Sequence, residues 1–132
     1  LSRRAFGETV ARINRNFPHW FCDRFNEYDD RENALPIDQH QLMALAAPRA
    51  VYVTSSDEDL WADPRGEYAA LVAAGPVFDL LGLEHISDAA MPALNMPRHV
   101  GSTGYHIRTG VHNLTEQDWG YFLDFADDVF EK

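Results

Sequence analysis

The sequence has 132 residues, of which 45% are hydrophobic, and its 11 basic and 21 acidic residues give a formal net charge of −10. This length and composition fit one domain, or part of a larger one, and exclude a disordered tail, a collagen-like repeat and a membrane span, since no run of about 18 apolar residues occurs. The acidic balance argues against nucleic acid or an anionic membrane as the main partner, and a single cysteine excludes an internal disulfide framework.

The first part of the chain predicts two helices separated by a long loop. Ser2 can cap a helix that runs to about Asn14. Residues 16–33, a group of aromatic side chains followed by a polar run, are typical of an ordered loop. A second helix is expected over about residues 37–47, and because it is mostly apolar we expect it to be buried and to end at Pro48.

The middle of the chain predicts two strands with a helical crossover between them. Residues 51–54 form a β-branched and aromatic run typical of a buried strand, and residues 105–108 alternate as a second strand. A helix is expected from about Arg65, with Leu81 as the farthest end of its continuation. Residues 82–102 contain two prolines and are interpreted as loop.

The last helix has the clearest start signal. Thr115 and Asp118 form the Asp variant of a capping box, and an apolar stripe at helical spacing runs from Trp119 to Phe130.

A strand, a long crossover and a second strand predict two parallel strands of an α/β sheet. Two such strands cannot cover both of their faces and both edges. We therefore expect the remaining strands to precede Leu1, so that residues 1–132 form the C-terminal part of one larger α/β domain.

Polar loops follow both predicted strands, at the end where open parallel sheets bind ligands. The first loop offers the acids Asp57, Glu58, Asp59 and Asp63, and the second offers His112. An acid after one strand and a histidine before the final helix match the later members of a Ser…Asp/Glu…His order, in which the carboxylate holds the imidazole tautomer. The alternatives are a solvated capping loop and a structural histidine. No G-x-S-x-G elbow occurs, so a nucleophile is missing from the sequence.

A metal site is the competing chemistry. Six histidines are present, but no HExxH or paired CxxC spacing organises them. His106 and His112 stand on either side of a predicted strand end, a spacing that does not favour joint ligation. Asp38 and His40 are interpreted as structural residues near a helix start. We therefore expect no metal.

Four short motifs, spread over nearly the whole chain, carry a family resemblance. They are Asn16-Phe17-Pro18-His19-Trp20-Phe21, Leu35-Pro36-Ile37-Asp38-Gln39-His40, Ala47-Pro48-Arg49, and Gly110-Val111-His112-Asn113-Leu114-Thr115 with Asp118-Trp119. Together they resemble bacterial glucuronoyl esterases, the 4-O-methyl-glucuronoyl methylesterases of carbohydrate esterase family 15. The resemblance implies an α/β-hydrolase fold and a serine esterase, without metal or cofactor, that cleaves esters between glucuronic acid on xylan and lignin alcohols.

The resemblance also implies catalytic roles. His112 matches the general base of the family, and Asp59 looks like the acid after the penultimate strand. Asp57 is the reserve for the acid, because the run of acidic residues leaves the register open by two. The family serine lies in a Gly-Cys-Ser-Arg elbow, which does not occur here and which we expect before Leu1.

Substrate contacts are implied in the same way. Trp61 resembles the tryptophan that packs on the sugar, with a core anchor as its alternative. Glu8 and Asn16 resemble positions that bind uronate hydroxyls, although the family often has Gln or Glu where Asn16 stands. A basic residue is expected near the uronate, and the available ones are Arg3, Arg4, Arg65 and Arg108.

These expectations add up to a secreted or periplasmic, monomeric esterase that acts on glucuronoxylan and lignin–carbohydrate esters, with no nucleic-acid or membrane partner. Without its serine, this chain alone is predicted to be inactive. Two other functions stay open. One is an acetyl xylan esterase or another carbohydrate esterase of the same fold, and the other is a non-catalytic α/β binding module in which Asp59 and His112 are surface residues.

Overall fold

A computed structural model describes residues 7–130 of the chain. Its helices and strands follow in the order α1 Val10–Asn16, α2 Gln39–Ala44, β1 Val51–Ser56, α3 Pro64–Ala73, α4 Gly75–Leu80, β2 Arg98–Val100, β3 Thr103–Arg108 and α5 Glu116–Phe130. Two 3-10 helices, Asp23–Tyr28 and Glu32–Ala34, lie between α1 and α2. Within residues 7–130, no helix has both the length and the apolar character needed to cross a membrane.

The described strands form one sheet in the order β1-β3-β2. β1 and β3 are parallel, with Val51 opposite Thr103 and Ser56 opposite Arg108, which confirms the predicted parallel pair. Because the strands run in the same direction, the loops that follow them leave the sheet at the same edge.

Helices pack against both faces of this sheet. On one face, Tyr105 and Ile107 of β3 join Tyr68 and Leu71 of α3 in a buried apolar cluster. On the other face, Phe125 of α5 packs against the ring of Tyr52 in β1, with ring centroids 5.0 Å apart. Successive residues of β3 alternate between these two faces, as strand geometry requires. The predicted α/β class is confirmed by this arrangement.

The first helix starts later than predicted. Its cap is Thr9, whose Oγ1 accepts a hydrogen bond from the backbone N–H of Arg12 at 3.1 Å. Thr9 has extended dihedrals and Gly7 has a φ of +97°, so neither is helical. The predicted cap, Ser2, lies outside the described residues. Serine and threonine are both good caps, so residue type alone did not fix the start.

The second helix is shorter and less buried than predicted. Asp38 and Gln41 form a capping box that starts α2 at Gln39, in agreement with the structural interpretation of Asp38. The helix ends at Ala44, and Leu45, just beyond it, is 75% exposed. The expectation of a buried helix is wrong within the described part of the chain, since no residue of α2 is buried although α3 and α4 contact it.

The segment predicted as loop over residues 82–102 contains the short edge strand β2. Val100 of β2 pairs with Thr103 of β3 in an antiparallel ladder, which leaves Gly101 and Ser102 as the turn. Gly101 has a φ of +54°, and a Cβ there would collide with the carbonyl oxygen of Glu84. A Gly-Ser pair between two short β-prone runs is the sequence signal of such a hairpin.

α5 begins where its capping box predicts. Asp118 Oδ2 accepts the Thr115 backbone N–H at 2.6 Å, and the Asp118 N–H donates to Thr115 Oγ1 at 3.4 Å. The predicted apolar stripe is only partly buried, since Trp119 and Phe130 are exposed, and the buried apolar residue of α5 is Phe125, which the predicted stripe did not include.

Candidate active site

The loops after β1 and β3 are held side by side by backbone hydrogen bonds that continue beyond the strands. The N–H of Asp57 donates to the carbonyl of Arg108 at 2.9 Å, and the N–H of Glu58 donates to the carbonyl of Gly110 at 3.2 Å. These bonds fix the relative positions of the two loops at the carboxyl-terminal edge of the sheet, where the predicted acid and histidine lie.

Asp59 and His112 form a hydrogen-bonded pair at this edge. Asp59 Oδ2 lies 2.6 Å from His112 Nδ1. The Asp59 side chain is 12% exposed, whereas that of His112 is 89% exposed. A carboxylate that accepts a hydrogen bond from Nδ1–H fixes the imidazole tautomer and leaves Nε2 free to take up a proton. This is the arrangement that a general base requires.

Asp57, the reserve acid, lies in a different environment. Its Oδ1 accepts a hydrogen bond from the backbone N–H of Gly110 at 2.8 Å. Asp57 therefore braces the loop after β3, while Asp59 is the carboxylate that contacts the imidazole of His112. The structure thus brings together the first-choice pair of the sequence analysis.

A buried arginine lies directly before the turn that carries His112. The guanidinium of Arg108 donates to the carbonyls of Thr109 at 3.2 Å and Val111 at 3.0 Å, and to the carbonyl of Asn113. Three backbone carbonyls, on both sides of His112, therefore share one side chain. Arg108 was one of the basic residues expected near the uronate, but it is buried and its guanidinium is engaged with its own turn.

Asp118 anchors that arginine. Arg108 Nε lies 3.1 Å from Oδ1 and 2.9 Å from Oδ2 of Asp118. His106 Nε2 lies 2.8 Å from Oδ1, and Thr115 Oγ1 donates to Oδ2 at 2.7 Å. Burial acts to raise the pKa of Asp118, but the hydrogen bonds from Thr115 and His106 and the charge of Arg108 outweigh it and lower the pKa to about 2. Asp118 is therefore a charged carboxylate in the interior.

His106 is the neutral partner in this network. Burial lowers the pKa of His106, although hydrogen bonding to Asp118 opposes that shift. Its Nδ1 lies 2.9 Å from the hydroxyl of Tyr52, and its Nε2 also lies 2.7 Å from Thr54 Oγ1. The arrangement fits a ring that donates from Nε2 to Asp118 and accepts the Tyr52 proton at Nδ1. Both ring nitrogens are used within the fold.

Glu67 of α3 lies close to the acid–histidine pair. Its Oε2 accepts a hydrogen bond from Ser55 Oγ at 2.6 Å, and Ser55 in turn accepts one from the hydroxyl of Tyr105 at 2.9 Å. Burial raises the pKa of Glu67; the Ser55 bond opposes this rise and the negative charge of Asp59 adds to it.

Trp61 lies beside the start of the first helix. Its carbonyl accepts the backbone N–H of Glu8 at 3.2 Å, and Cζ of Arg12 lies 4.5 Å from the centre of its ring. The ring is about half exposed, so Trp61 is available to a ligand rather than enclosed as a core anchor. Oε1 of Glu8 is shielded from solvent and has no hydrogen-bond partner within the described residues. The structure thus brings Trp61 and Glu8 together.

The remaining predicted contacts are separate from this group. Asn16 is exposed at the far end of α1, nearly two helical turns from Val10. Arg65 is exposed at the start of α3, while Arg3 and Arg4 lie outside the described residues. Among residues 7–130, no group of three or more His, Cys, Asp or Glu side chains could hold a metal ion.

Sequence reasoning missed the network below the pair. Asp118 was recognised only as a helix cap, and Arg108 only as a strand residue and a candidate contact of the uronate. The available signal was the alternation of β3, which places His106 and Arg108 on the same face of a strand that is buried along its whole length. A buried arginine and histidine require an acidic partner, and Asp118 stands close by in sequence.

Comparison with known proteins adds a family to this geometry. Residues 3–82 match the profile of the family described as "Glucuronyl esterase, fungi". Carbohydrate esterase MZ0003, from an unknown prokaryotic organism, is 52% identical over 128 residues, which is 96% of this chain and 29% of that protein. The 4-O-methyl-glucuronoyl methylesterase 1 of Phanerochaete chrysosporium is 41% identical over 64 residues, 48% of this chain and 14% of that enzyme.

Solved structures give the same result. A promiscuous CE15 esterase from a marine bacterial metagenome superposes with a TM-score of 0.89 at 49% identity, over 92% of this chain and 30% of that one. The glucuronoyl esterase from Solibacter usitatus has a TM-score of 0.85 at 44% identity, over 92% of this chain and 31% of that one. The chain thus spans less than a third of these relatives.

Proposed function

Because the chain belongs to the glucuronyl esterase family, we propose that it supplies the acid and base of an esterase that cleaves ester bonds between glucuronic acid on xylan and lignin alcohols. The observation that carries this proposal is the 2.6 Å contact between Asp59 and His112 at the carboxyl-terminal edge of two parallel strands. A pair in this position, with an exposed imidazole and a shielded carboxylate, suits proton transfer to and from a bound substrate.

The proposed reaction uses both nitrogens of His112. Nδ1 donates to Asp59, so Nε2 accepts the proton of a serine hydroxyl supplied from outside residues 1–132 as the serine oxygen attacks the uronoyl carbonyl. The imidazolium, stabilised by Asp59, gives this proton to the departing alcohol oxygen. Water then gives a proton to Nε2 as its oxygen attacks the acyl carbon, and Nε2 passes that proton to the serine oxygen as the acyl–serine bond breaks and the glucuronate leaves.

Trp61, Glu8 and Asn16 are the proposed substrate contacts. The exposed Trp61 ring offers an apolar surface to the sugar, and the shielded Oε1 of Glu8 can accept a hydrogen bond from a sugar hydroxyl. Asn16, at the far end of α1, would reach only an extended ligand. Trp61→Ala is expected to raise KM about threefold or more with a smaller change in kcat, and an unchanged KM would remove Trp61 from the binding site.

The cellular compartment and the oligomeric state of the protein are proposed from its membership of the esterase family. A substrate embedded in plant cell wall calls for an enzyme outside the cytoplasm, so we propose a secreted or periplasmic protein that acts as a monomer. Fractionation of the producing cells and a solution mass measurement test the two parts separately; cytoplasmic retention contradicts the first and a stable dimer the second.

The decisive experiment uses the full-length gene product. We expect it to hydrolyse methyl glucuronate faster than acetylated xylan, and we expect His112→Ala to lower kcat about 10³-fold or more. His40→Ala, a histidine of α2, is the control and should leave activity unchanged.

The other outcomes identify the other functions. Preference for acetylated xylan, with the same loss in His112→Ala, indicates an acetyl xylan esterase. Full activity of His112→Ala, or no turnover of either ester by the wild type, overturns the catalytic role and favours a binding module.

A further inference from the structure

We propose that Arg108 and Asp118 are positioning residues that hold the His112 turn in the geometry in which the imidazole meets Asp59. This inference rests on the proposed function, because it concerns the same acid–histidine pair. The imidazole of His112 is hydrogen-bonded to Asp59, whereas Arg108 binds the backbone of the turn and Asp118 holds Arg108.

The first argument is the number of turn carbonyls that Arg108 satisfies. Its guanidinium binds the carbonyls of Thr109, Val111 and Asn113, which lie before and after His112. Backbone carbonyls of an exposed turn are ordinarily solvated by water. Here a buried cation directs them inward, which fixes the path of the chain through His112.

The second argument is the rigidity of the anchor. Asp118 contacts Arg108 Nε through both carboxylate oxygens and is itself held by Thr115 and His106. All of these groups belong to β3, α5 or the residue that caps α5. The turn is therefore connected to two regular elements rather than to other loops, and elements of this kind hold a site more accurately than loops do.

The third argument is the exposure of His112. Within residues 7–130 its side chain is 89% exposed, so packing against the side chains of these residues does not set the position of the ring. The backbone path and the Asp59 contact set it instead. Since a displacement of about 1 Å can cost about 100-fold in rate, the groups that fix this path affect catalysis without touching the substrate.

Arg108→Lys is the test, because lysine keeps the charge but lacks the planar fork that reaches several acceptors at once. The matched control is Arg98→Lys. Arg98 also holds a loop, since its Nη1 donates to the carbonyl of Ala90 in the segment before β2 and to the hydroxyl of Tyr68 in α3, both at 2.9 Å. Both variants are made in the full-length protein and compared by kcat, KM, thermal midpoint and the proton resonance of His112 Nδ1–H.

We expect Arg108→Lys to lower kcat about 30-fold or more while KM stays within about threefold. Its thermal midpoint should fall by no more than about 5 °C relative to Arg98→Lys. The Nδ1–H resonance of His112 should weaken or move in Arg108→Lys and stay unchanged in Arg98→Lys. Wild-type kcat together with a wild-type His112 resonance in Arg108→Lys would overturn the proposal.

A milder variant covers the case in which Arg108→Lys does not fold. Thr115→Val removes the hydroxyl bond to Asp118 Oδ2 and the cap bond from the Asp118 N–H but keeps the side-chain shape, so kcat should fall about two- to fivefold at constant KM. Unchanged kinetics in that folded variant would count against the proposal. The Nδ1–H resonance of His112 distinguishes failure of the positioning role from failure of the proposed function. An inactive wild type refutes the proposed function, whereas the effect of Arg108→Lys on the His112 resonance still decides the positioning role.

Discussion

Two carboxylates near the end of β1 have different hydrogen-bond partners. Asp59 accepts a hydrogen bond from the His112 ring. Glu67 is partly buried, and its side-chain partner is the neutral hydroxyl of Ser55. Burial raises the pKa of Glu67, against the opposing effect of that hydroxyl bond. The charge of Glu67 is therefore a destabilising feature of the folded chain at neutral pH.

Glu67→Gln is expected to stabilise the full-length protein at pH 8. A carboxyl group with a raised folded-state pKa contributes stability below its unfolded value, and that stability is lost as the pH rises through the folded pKa. Glutamine keeps an acceptor for Ser55 but carries no charge, so its advantage should be present at pH 8 and shrink towards pH 4. Urea unfolding at both pH values measures it. The exposed Glu58→Gln serves as the control, and a Glu67→Gln protein that is less stable than wild type at pH 8 contradicts the argument.

At the scale of elements, β3 and α5 are joined by charge as well as by apolar contact. β3 is buried along its whole length, yet the face towards α5 carries His106 and Arg108. Asp118, in the first turn of α5, satisfies both of them. The contact therefore depends on a carboxylate that must stay ionised in the interior.

Asp118→Asn is expected to destabilise the full-length protein much more at neutral pH than in acid. The pKa of Asp118 is lowered to about 2, so its contribution is present above the unfolded pKa of about 3.9 and is lost as the pH falls towards 2. About two pKa units correspond to about 2.5 kcal/mol. Chemical unfolding at pH 7 and at the lowest pH where the wild type stays folded measures the difference.

The control for this experiment is Asp127→Asn, an exposed residue of the same helix. It should change stability by less than about 0.5 kcal/mol at either pH. An equal loss in Asp118→Asn at both pH values would mean that its charge contributes nothing specific.

At the scale of the whole molecule, the parallel sheet and the acid–histidine pair could be predicted from sequence. A β-branched run, a long crossover and a second alternating run allow few arrangements, and the carboxyl-terminal edge then brings the loops with Asp59 and His112 together. The family resemblance favoured Asp59 over Asp57, but the register stayed open by two residues, because a shift of two keeps the same side of an extended chain. The bonds from Gly110 to Asp57 and from His112 to Asp59 make that choice.

Which apolar side chains of the helices are buried could not be predicted in the same way. The apolar side chains Leu45, Leu80 and Phe130 lie in or next to helices, but all three are exposed. Their burial depends on what else packs on these helices, and the chain spans 29% of the length of carbohydrate esterase MZ0003. We propose that other parts of the full-length protein cover these surfaces.

The isolated 132-residue chain should therefore behave differently from the full-length protein. We expect it to bind an apolar dye strongly, to self-associate, and to show no turnover of methyl glucuronate. Dye fluorescence, light scattering and ester hydrolysis measure these properties. Measurable turnover by the 132 residues alone would contradict the proposal that the nucleophile lies outside them.

The pairing of Asp59 with His112 is most directly tested by comparing Asp59→Asn with Asp57→Asn in the full-length protein. The two residues share one loop, so their removal perturbs the fold to a similar degree, but only Asp59 contacts the imidazole. We predict that kcat on methyl glucuronate falls about 10³-fold or more in Asp59→Asn and less than about tenfold in Asp57→Asn. Equal losses in the two variants, or a larger loss in Asp57→Asn, would contradict the assignment of Asp59 as the acid.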